Sequence, residues 1–274
     1  MFHPDYARLA RDDAFAMPNV TAPVSGGLVR LAVEHALTHR YSLLLEGTFR
    51  DAAMVTATAV RFAEAGYRVE VAAVATPGVV SRLSAEMRSL AGGLPSIGRW
   101  TPPSAHESAL EQSPAVVAAL EALAPVTRVQ VFARERLLSS NTRTSDGDWE
   151  RPAEAAAVLR EEQRRILTDR EAVGWLRDYA GVFALAAARP GYLGIETAPT
   201  YLHLQGDAAY MLRSLMLAPG TPVTELRAEQ RERDVHLRRV LPPELMPRRR
   251  TNPPTPPFQR RPASPRQEPP TLGR

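Results

Sequence analysis

Short β-branched runs alternate with stretches of helical periodicity through the first half of the chain. This alternation constrains the fold more than any other feature of the sequence. Strands are predicted at 41–46, 68–75 and 128–133. Segments with apolar residues at helical spacing lie around them, at 25–39, 51–65, 78–91 and 112–123. Strands separated by 10–15-residue helices are typical of βαβ units, so the sequence predicts an α/β fold with a mostly parallel sheet flanked by helices.

The chain divides into three parts by composition. Residues 1–150 carry the α/β pattern, residues 151–241 show helical periodicity throughout, and residues 242–274 are rich in proline and arginine. Within the first part, Gly66 is placed to end a helix, Pro77 to begin one, and residues 92–106 are predicted to be a loop. We therefore expect an α/β region, a helical region and a C-terminal tail.

The tail cannot bury a hydrophobic core. Eleven of its 33 residues are proline, and it carries seven arginines and two acids. It is expected to be disordered or polyproline-like. A simple solvated tail and docking to an aromatic-lined groove or an acidic surface both remain open. Since the whole chain carries +4, the rest is nearly neutral, and with Phe258 as its one aromatic residue the tail makes a poor nucleic-acid partner.

Two amino acids are missing from the sequence. The absence of cysteine excludes disulfides, cysteine-bound zinc and a cysteine nucleophile. All 34 basic side chains are arginine, so no reaction that needs a lysine ammonium can be carried out by these residues alone. A GC-rich genome is the simplest explanation for that bias. No apolar run is long enough to cross a membrane and no secretory signal is evident, so a soluble, cytoplasmic protein is expected.

The stretch YSLLLEGTFR, residues 41–50, places polar groups where a strand is predicted to end. Ligands bind outside the carboxyl ends of strands in open parallel sheets. Glu46 lies at this end, Gly47 permits close backbone approach, and Thr48 and Arg50 add donors suited to a sugar or a phosphate. A ligand site is one interpretation; a helix cap or an ion pair is the other.

This stretch begins a series of motifs that resembles the zeta-toxin family. The series continues with TAVRFAEAGYRVEVAAVATP, SRLSAEMR, RWTPPSAH and RVQVFARER, and the resemblance runs from about His3 to Arg136. The family consists of ATP-dependent kinases of UDP-N-acetylglucosamine, which are the toxins of toxin–antitoxin systems. The resemblance therefore implies a P-loop-kinase-like fold, a nucleotide-sugar substrate and a helical antitoxin as a possible partner.

The resemblance also implies roles for individual residues. Glu46 and Thr48 correspond to positions that hydrogen-bond the nucleotide sugar, Arg50 to one that helps hold its phosphates, and Thr58 to a threonine of the substrate pocket. Two further positions, Arg88 and Arg99, correspond to arginines that clamp the transferred phosphoryl group. Arginine suits that task because it cancels charge bidentately. His106 matches a family position to which no role is assigned here.

The sequence departs from the family at its start. A P-loop kinase needs G-x-x-x-x-G-K-[ST] to hold ATP and Mg²⁺, and these 274 residues contain no such segment. The family's general base would fall before Met1, and Arg30 stands near a position where the family tends to carry glutamate. Either the start is assigned too late or the gene is truly truncated. The sequence thus predicts a kinase that is inactive as given or, alternatively, a non-catalytic remnant that binds a nucleotide sugar or an antitoxin.

Overall fold

The structure, a computed structural model, describes residues 3–91, 100–215 and 223–246. Three strands occur within these ranges: β1 (Val69–Val74), β2 (Val126–Ala133) and β3 (Arg136–Thr142). They form one sheet in the order β1–β2–β3. β1 and β2 are parallel, and β2 and β3 form an antiparallel hairpin. The predicted mixed α/β fold is confirmed, although β3 makes the sheet less parallel than expected.

Three helices precede the sheet: α1 (Tyr6–Asp12), α2 (Met17–His39) and α3 (Ala52–Glu64). Polar contacts fasten α2 to α3 and the turn after it. Arg61 donates to both oxygens of Glu34, at 2.7 and 2.5 Å, and the Tyr67 hydroxyl donates to the Ala36 carbonyl at 2.9 Å. Within the 23 residues of α2, burial is confined to Val33 and Ala36. Most of this long helix therefore lies outside the core.

Between β1 and β2 the described residues form two helices: α4 (Gly78–Leu90) and α5 (Pro103–Ala122). The segment before α4 follows the prediction, since Gly66 after α3 has φ +82° and Pro77 directly precedes the first residue of α4. By contrast, α5 begins at Pro103, well before the predicted 112. The predicted loop at 92–106 was therefore too long at its end, and residues 92–99 lie outside the described residues.

The described residues after 151 are mainly helical, as the periodicity predicted. They form α6 (Ala155–Gln163), α7 (Asp169–Ala187), α8 (Ala198–Leu215) and α9 (Val223–Val240), followed by a 3₁₀ turn at Pro243–Leu245. The prediction of disorder for 242–274 falls mainly on residues 247–274, which lie outside the described residues. The three-part division of the chain remains a proposal.

Most of the buried apolar side chains that the structure describes belong to one of two clusters. The sheet cluster joins β1 and β2 to α5 and α6, with Val117 and Val126 fully buried. The helical cluster joins α4 to α7, α8 and α9, with Leu176 and Tyr201 at its centre. α4 thus packs with the C-terminal helices, and α6 packs with the sheet.

The strand predicted at 41–46 does not form. Residues 41–50 lack regular secondary structure, and Leu44 is 93% exposed. A strand is stable only when a neighbour completes its hydrogen bonds. In the described part of the chain β1 pairs with β2 alone, and no strand lies beside 41–46. Apolar character was therefore an insufficient signal for this strand.

Candidate functional site

The predicted acceptor residues lie on an exposed segment. Glu46 and Thr48 are solvent-exposed, and Glu46 follows an irregular stretch instead of a strand end, so that part of the prediction was wrong. Arg50 donates from Nε to the Thr48 hydroxyl at 3.0 Å. Directly afterwards, Asp51 caps α3 by accepting the Met54 amide at 3.0 Å. The side chains of Thr48 and Arg50, two positions apart in the sequence, thus contact each other.

Thr58 lies at the middle of α3 and is partly buried. Its hydroxyl donates to the Met54 carbonyl at 2.8 Å, a contact within the same helix. An oxygen used in this way keeps its lone pairs free to accept a hydrogen bond. Thr58 is therefore able to receive a ligand hydroxyl but has little freedom to donate to one.

The structure describes one of the two predicted clamp arginines. Arg88 lies exposed in the last turn of α4. Arg99 lies outside the described residues. Among the described residues, no hydrogen bond or ion pair joins Glu46 or Arg88 to another of the predicted site residues. The structure brings Thr48 and Arg50 together, and the convergence of the other predicted residues remains a proposal.

A polar cluster that the sequence did not predict joins α4, α5 and α8. It is built around Arg82, whose side chain is only 12% exposed. Arg82 donates to both oxygens of Glu107, at 2.9 and 3.1 Å, and also to Asp207 on α8. The bidentate geometry and the shielding from water make these contacts stronger than an ordinary surface ion pair.

His106 extends this cluster to Ser81. Its Nδ1 lies 3.0 Å from Glu107 Oε1, and its Nε2 lies 3.0 Å from the Ser81 hydroxyl. A carboxylate only accepts, so Nδ1 carries the proton, and in the neutral ring Nε2 accepts from Ser81. Sequence reasoning identified His106 by resemblance alone. Its role in this structure is to connect α4 with the first turn of α5.

The two carboxyl groups that contact Arg82 have pKa values shifted in opposite directions. Burial by itself would raise the pKa of Glu107, but hydrogen bonds from His106 and Arg82, together with the positive charge of Arg82, lower it to about 2. For Asp207 the burial effect prevails, and its pKa is raised in spite of the neighbouring Arg82. Glu107 is therefore the carboxylate that balances Arg82 across the whole physiological range.

A second buried acid lies beside this cluster on α4. Glu86 is 3% exposed, and burial raises its pKa although the hydroxyls of Tyr192 and Tyr201 interact with it. Burial also raises the pKa of both tyrosines. A carboxyl group in such surroundings favours the neutral form and becomes costly as it ionises. Glu86 thus belongs to the packing of the helical cluster.

Neither a metal-binding cluster nor a membrane-spanning helix is found among the residues that the structure describes. In residues 3–91, 100–215 and 223–246, no group of three or more histidine, aspartate and glutamate side chains is arranged to hold a metal. No helix within the same ranges is long and apolar enough to cross a membrane.

The chain combines an α/β sheet with a bundle of helices that follows it. An EGT-x-R element lies ahead of the sheet. A family model described as Zeta toxin matches residues 1–144, more than half of the chain. The protein belongs to the zeta toxin family.

A curated relative supports this membership, and a solved structure shares the fold. Toxin PezT of Streptococcus pneumoniae is 31% identical over 136 residues, which cover 49% of this chain and 54% of the toxin. The chain thus spans about half the length of this curated relative. A solved chain of the PezAT chromosomal toxin–antitoxin system of S. pneumoniae superposes with a TM-score of 0.52 at 21% identity, covering 66% of this chain and 70% of that one. The second likeness shows a common fold.

Proposed function

We propose that the chain is the acceptor-binding part of a zeta-toxin kinase, which transfers phosphate from ATP to UDP-N-acetylglucosamine. The observation that carries the proposal is the family match over residues 1–144, which includes the LLLEGTFR element. The proposed toxin activity implies a cognate antitoxin, and the similarity to PezT supports such a partner.

In this proposal the acceptor sugar lies against the segment 41–50. Glu46 accepts hydrogen bonds from sugar hydroxyls, Thr48 orients the ring, and Thr58 completes the pocket wall. Arg50 holds the diphosphate, and its hydrogen bond to Thr48 keeps the two side chains close together, which supports a shared role. Arg88 and Arg99 act as the clamp on the transferred phosphoryl group, where a planar guanidinium cancels charge on two oxygens at once.

These residues do not fit ATP and Mg²⁺ on their own. Phosphate cradling in this fold class depends on a glycine-rich loop with a lysine, and the sequence contains neither the motif nor any lysine. The described residues also lack a metal-holding group. We therefore expect no turnover from these 274 residues, and we assign no chemical step to them.

The runner-up is a non-catalytic protein that binds a nucleotide sugar or an antitoxin helix. Several exposed apolar side chains of α2 and the following segment favour it, because uncovered apolar surface is available to a partner. These are Leu28, Val29, Leu31 and Leu44, exposed by 38%, 47%, 66% and 93%. An amphipathic antitoxin helix is the chemistry that such a face would accept.

Titration calorimetry of the full chain tests the proposal. UDP-N-acetylglucosamine is expected to bind, and Glu46→Gln is expected to weaken binding by at least about tenfold, because a charge-assisted hydrogen bond to the sugar is lost. Glu64→Gln, an exposed acid in the last turn of α3, is the matched control and should leave binding unchanged. ATP with Mg²⁺ should give no binding heat.

Three outcomes would contradict parts of the proposal. If UDP-N-acetylglucosamine fails to bind, the acceptor site as proposed is wrong. If it binds equally well to Glu46→Gln, the segment 41–50 is not the site. A coupled assay for ADP should remain silent, and measurable turnover would overturn the statement that these residues lack the phosphate-donor machinery.

A further inference from the structure

One residue of the segment 41–50 is partly buried: Phe49. Every other residue of this segment is exposed, whereas Phe49 packs against the sheet cluster. Ala52 and Val55, in the first turn of α3, pack against the same cluster. Phe49 therefore links the exposed segment to the folded core, and it does so between two of the proposed acceptor residues, Thr48 and Arg50.

The backbone of Phe49 has an unusual conformation. Its φ is +50°, in the left-handed region, and among the described residues that are not glycine only Arg40 also has a positive φ. A bulky side chain rarely adopts this region for steric reasons, whereas glycine adopts it freely. A turn that needed only this backbone shape would be formed more easily with glycine. The phenylalanine at this position therefore indicates that its ring has a use.

The turn at Phe49 places apolar and polar side chains in different surroundings. The ring contacts the sheet cluster, while the neighbouring Thr48 and Arg50 are exposed. These two side chains are joined by the 3.0 Å hydrogen bond from Arg50 Nε to the Thr48 hydroxyl. Directly afterwards, Asp51 caps α3 by accepting the Met54 amide. The polar pair thus lies on a short turn that has an apolar anchor at its centre and a helix cap after it.

The other fixed end of the segment cannot position this pair. Arg40, the C-terminal cap of α2, has φ +59°, and its guanidinium donates to the Ala65 carbonyl. Residues 41–47, which separate Arg40 from Thr48, are irregular and exposed. A fixed backbone at Arg40 therefore leaves the position of Thr48 undetermined, and the anchor that can determine it is Phe49.

We propose that Phe49 is a positioning residue of the acceptor site. Its ring, packed on the sheet cluster, fixes the left-handed turn that brings Thr48 and Arg50 together. This inference rests on the proposed function, in which Thr48 orients the sugar and Arg50 holds the diphosphate. Side chains that are fixed before binding lose less conformational entropy when the ligand binds, so the anchor increases affinity without touching the ligand.

Nitrogen-15 NMR of the full chain without ligand tests the positioning directly, because Arg50 Nε is the donor of the hydrogen bond. Phe49→Gly keeps the left-handed backbone accessible and removes the ring. The Arg50 Nε–H should then exchange with water at least about threefold faster, since its hydrogen bond to Thr48 forms less often. Phe49→Leu keeps an apolar side chain and should restore an exchange rate close to that of the unsubstituted chain.

A matched control removes a different phenylalanine. Phe62 is partly buried near the other end of α3, and its ring meets that of Tyr67 with centroids 5.1 Å apart. Phe62→Ala should leave the exchange rate of the Arg50 Nε–H unchanged. Far-ultraviolet circular dichroism of each variant should match that of the unsubstituted chain, because Phe49 and Phe62 lie at the edge of the core.

Titration calorimetry measures the consequence for binding. UDP-N-acetylglucosamine should bind Phe49→Gly about three- to tenfold more weakly than the unsubstituted chain, and Phe49→Leu within about twofold of it. An unchanged Arg50 exchange rate in Phe49→Gly would overturn the inference, because the pair would then form without the ring. Faster exchange with unchanged affinity would overturn the role of Phe49 in binding. If the unsubstituted chain does not bind UDP-N-acetylglucosamine, the proposed function fails, and the exchange rates still decide whether Phe49 positions the pair.

Discussion

The helical cluster and the segment 41–50 are both rich in leucine, yet they differ completely in burial. Leu176 and Leu204 in the helical cluster are fully buried, whereas Leu43, Leu44 and Leu45 are exposed by 39%, 93% and 47%. Each helix of the cluster satisfies its own backbone hydrogen bonds and needs only side-chain packing from its neighbours. A strand needs a partner for its backbone as well. The comparison shows that the region with the most specific family motif is also the region least able to fold by itself.

The largest expected effect on the free energy of unfolding is seen by comparing one leucine from each region. Leu176→Ala should lower the free energy of unfolding by about 2–5 kcal/mol, because the leucine is fully buried and its removal leaves a cavity. Leu44→Ala should change it by less than about 0.5 kcal/mol, since nothing packs around an exposed side chain. Urea denaturation followed by circular dichroism measures both values. Similar decreases in the free energy of unfolding for the two variants would contradict the contrast between the helical cluster and the segment 41–50.

The second-largest effect on the free energy of unfolding is expected at Glu121, a buried carboxylate of α5. Glu121 is 4% exposed, and its oxygens accept the amides of Glu154 and Ala155, at 3.2–3.3 Å, at the start of α6. Glu121→Ala leaves these amides unpaired and should cost about 1–3 kcal/mol. Glu154→Ala, an exposed neighbour whose side chain makes no cap, is the control and should be nearly neutral. A neutral result for Glu121→Ala would show that α6 does not depend on this cap.

The polar cluster around Arg82 should make the stability of the protein depend on pH in the acidic range. Glu107 has its pKa lowered to about 2, so its contribution is complete above the ordinary value near 4.5 and is lost as the pH falls toward 2. Glu107→Gln should therefore be less stable at pH 7 and lose less stability between pH 5 and pH 3. Glu111→Gln, exposed on the same helix, should keep the native slope. Melting temperatures across this range measure the slopes, and equal slopes for all three proteins would contradict the role of Glu107.

The smallest effect on stability is expected from a substitution in β1, on the strand edge that pairs with no other described strand. Val74 is 72% exposed, and in the described residues β1 has a strand on one side only. An exposed apolar strand edge promotes association between copies. Val74→Arg should reduce self-association, measured by light scattering, while changing the melting temperature little. Val235→Arg, at a half-exposed position on α9, should leave self-association as it is. Equal self-association of the two variants would show that the associating surface does not include Val74.

The sequence predicted the elements whose formation depends on local patterns. α3, β1, α4 and β2 all lie within about two residues of their predicted limits, because cap residues and apolar periodicity mark their ends. The start of α5 was missed since two prolines and a serine resemble a loop. β3 was missed because LLSSNT is mostly polar at its end. The segment 41–46 has the composition of a strand, but its pairing depends on a neighbour that composition cannot show.

The candidate site follows the same division. Residue types and family resemblance predicted Glu46, Thr48 and Arg50 as a set, and two of them do contact each other. The cluster around Arg82 was missed because its partners are distant in sequence: Glu107 is 25 residues away and Asp207 is 125. The available signal was His106, which the family pattern singled out without giving it a role.

Hydrogen exchange of the full chain tests the central claim most directly, which is that LLLEGTFR is an unpaired element attached to a folded core. Amides of 43–48 should exchange within seconds, whereas those of β1 and of α7 around Leu176 should be protected by orders of magnitude. Protection of 43–48 equal to that of β1 would mean that this segment is a paired strand and would contradict the account.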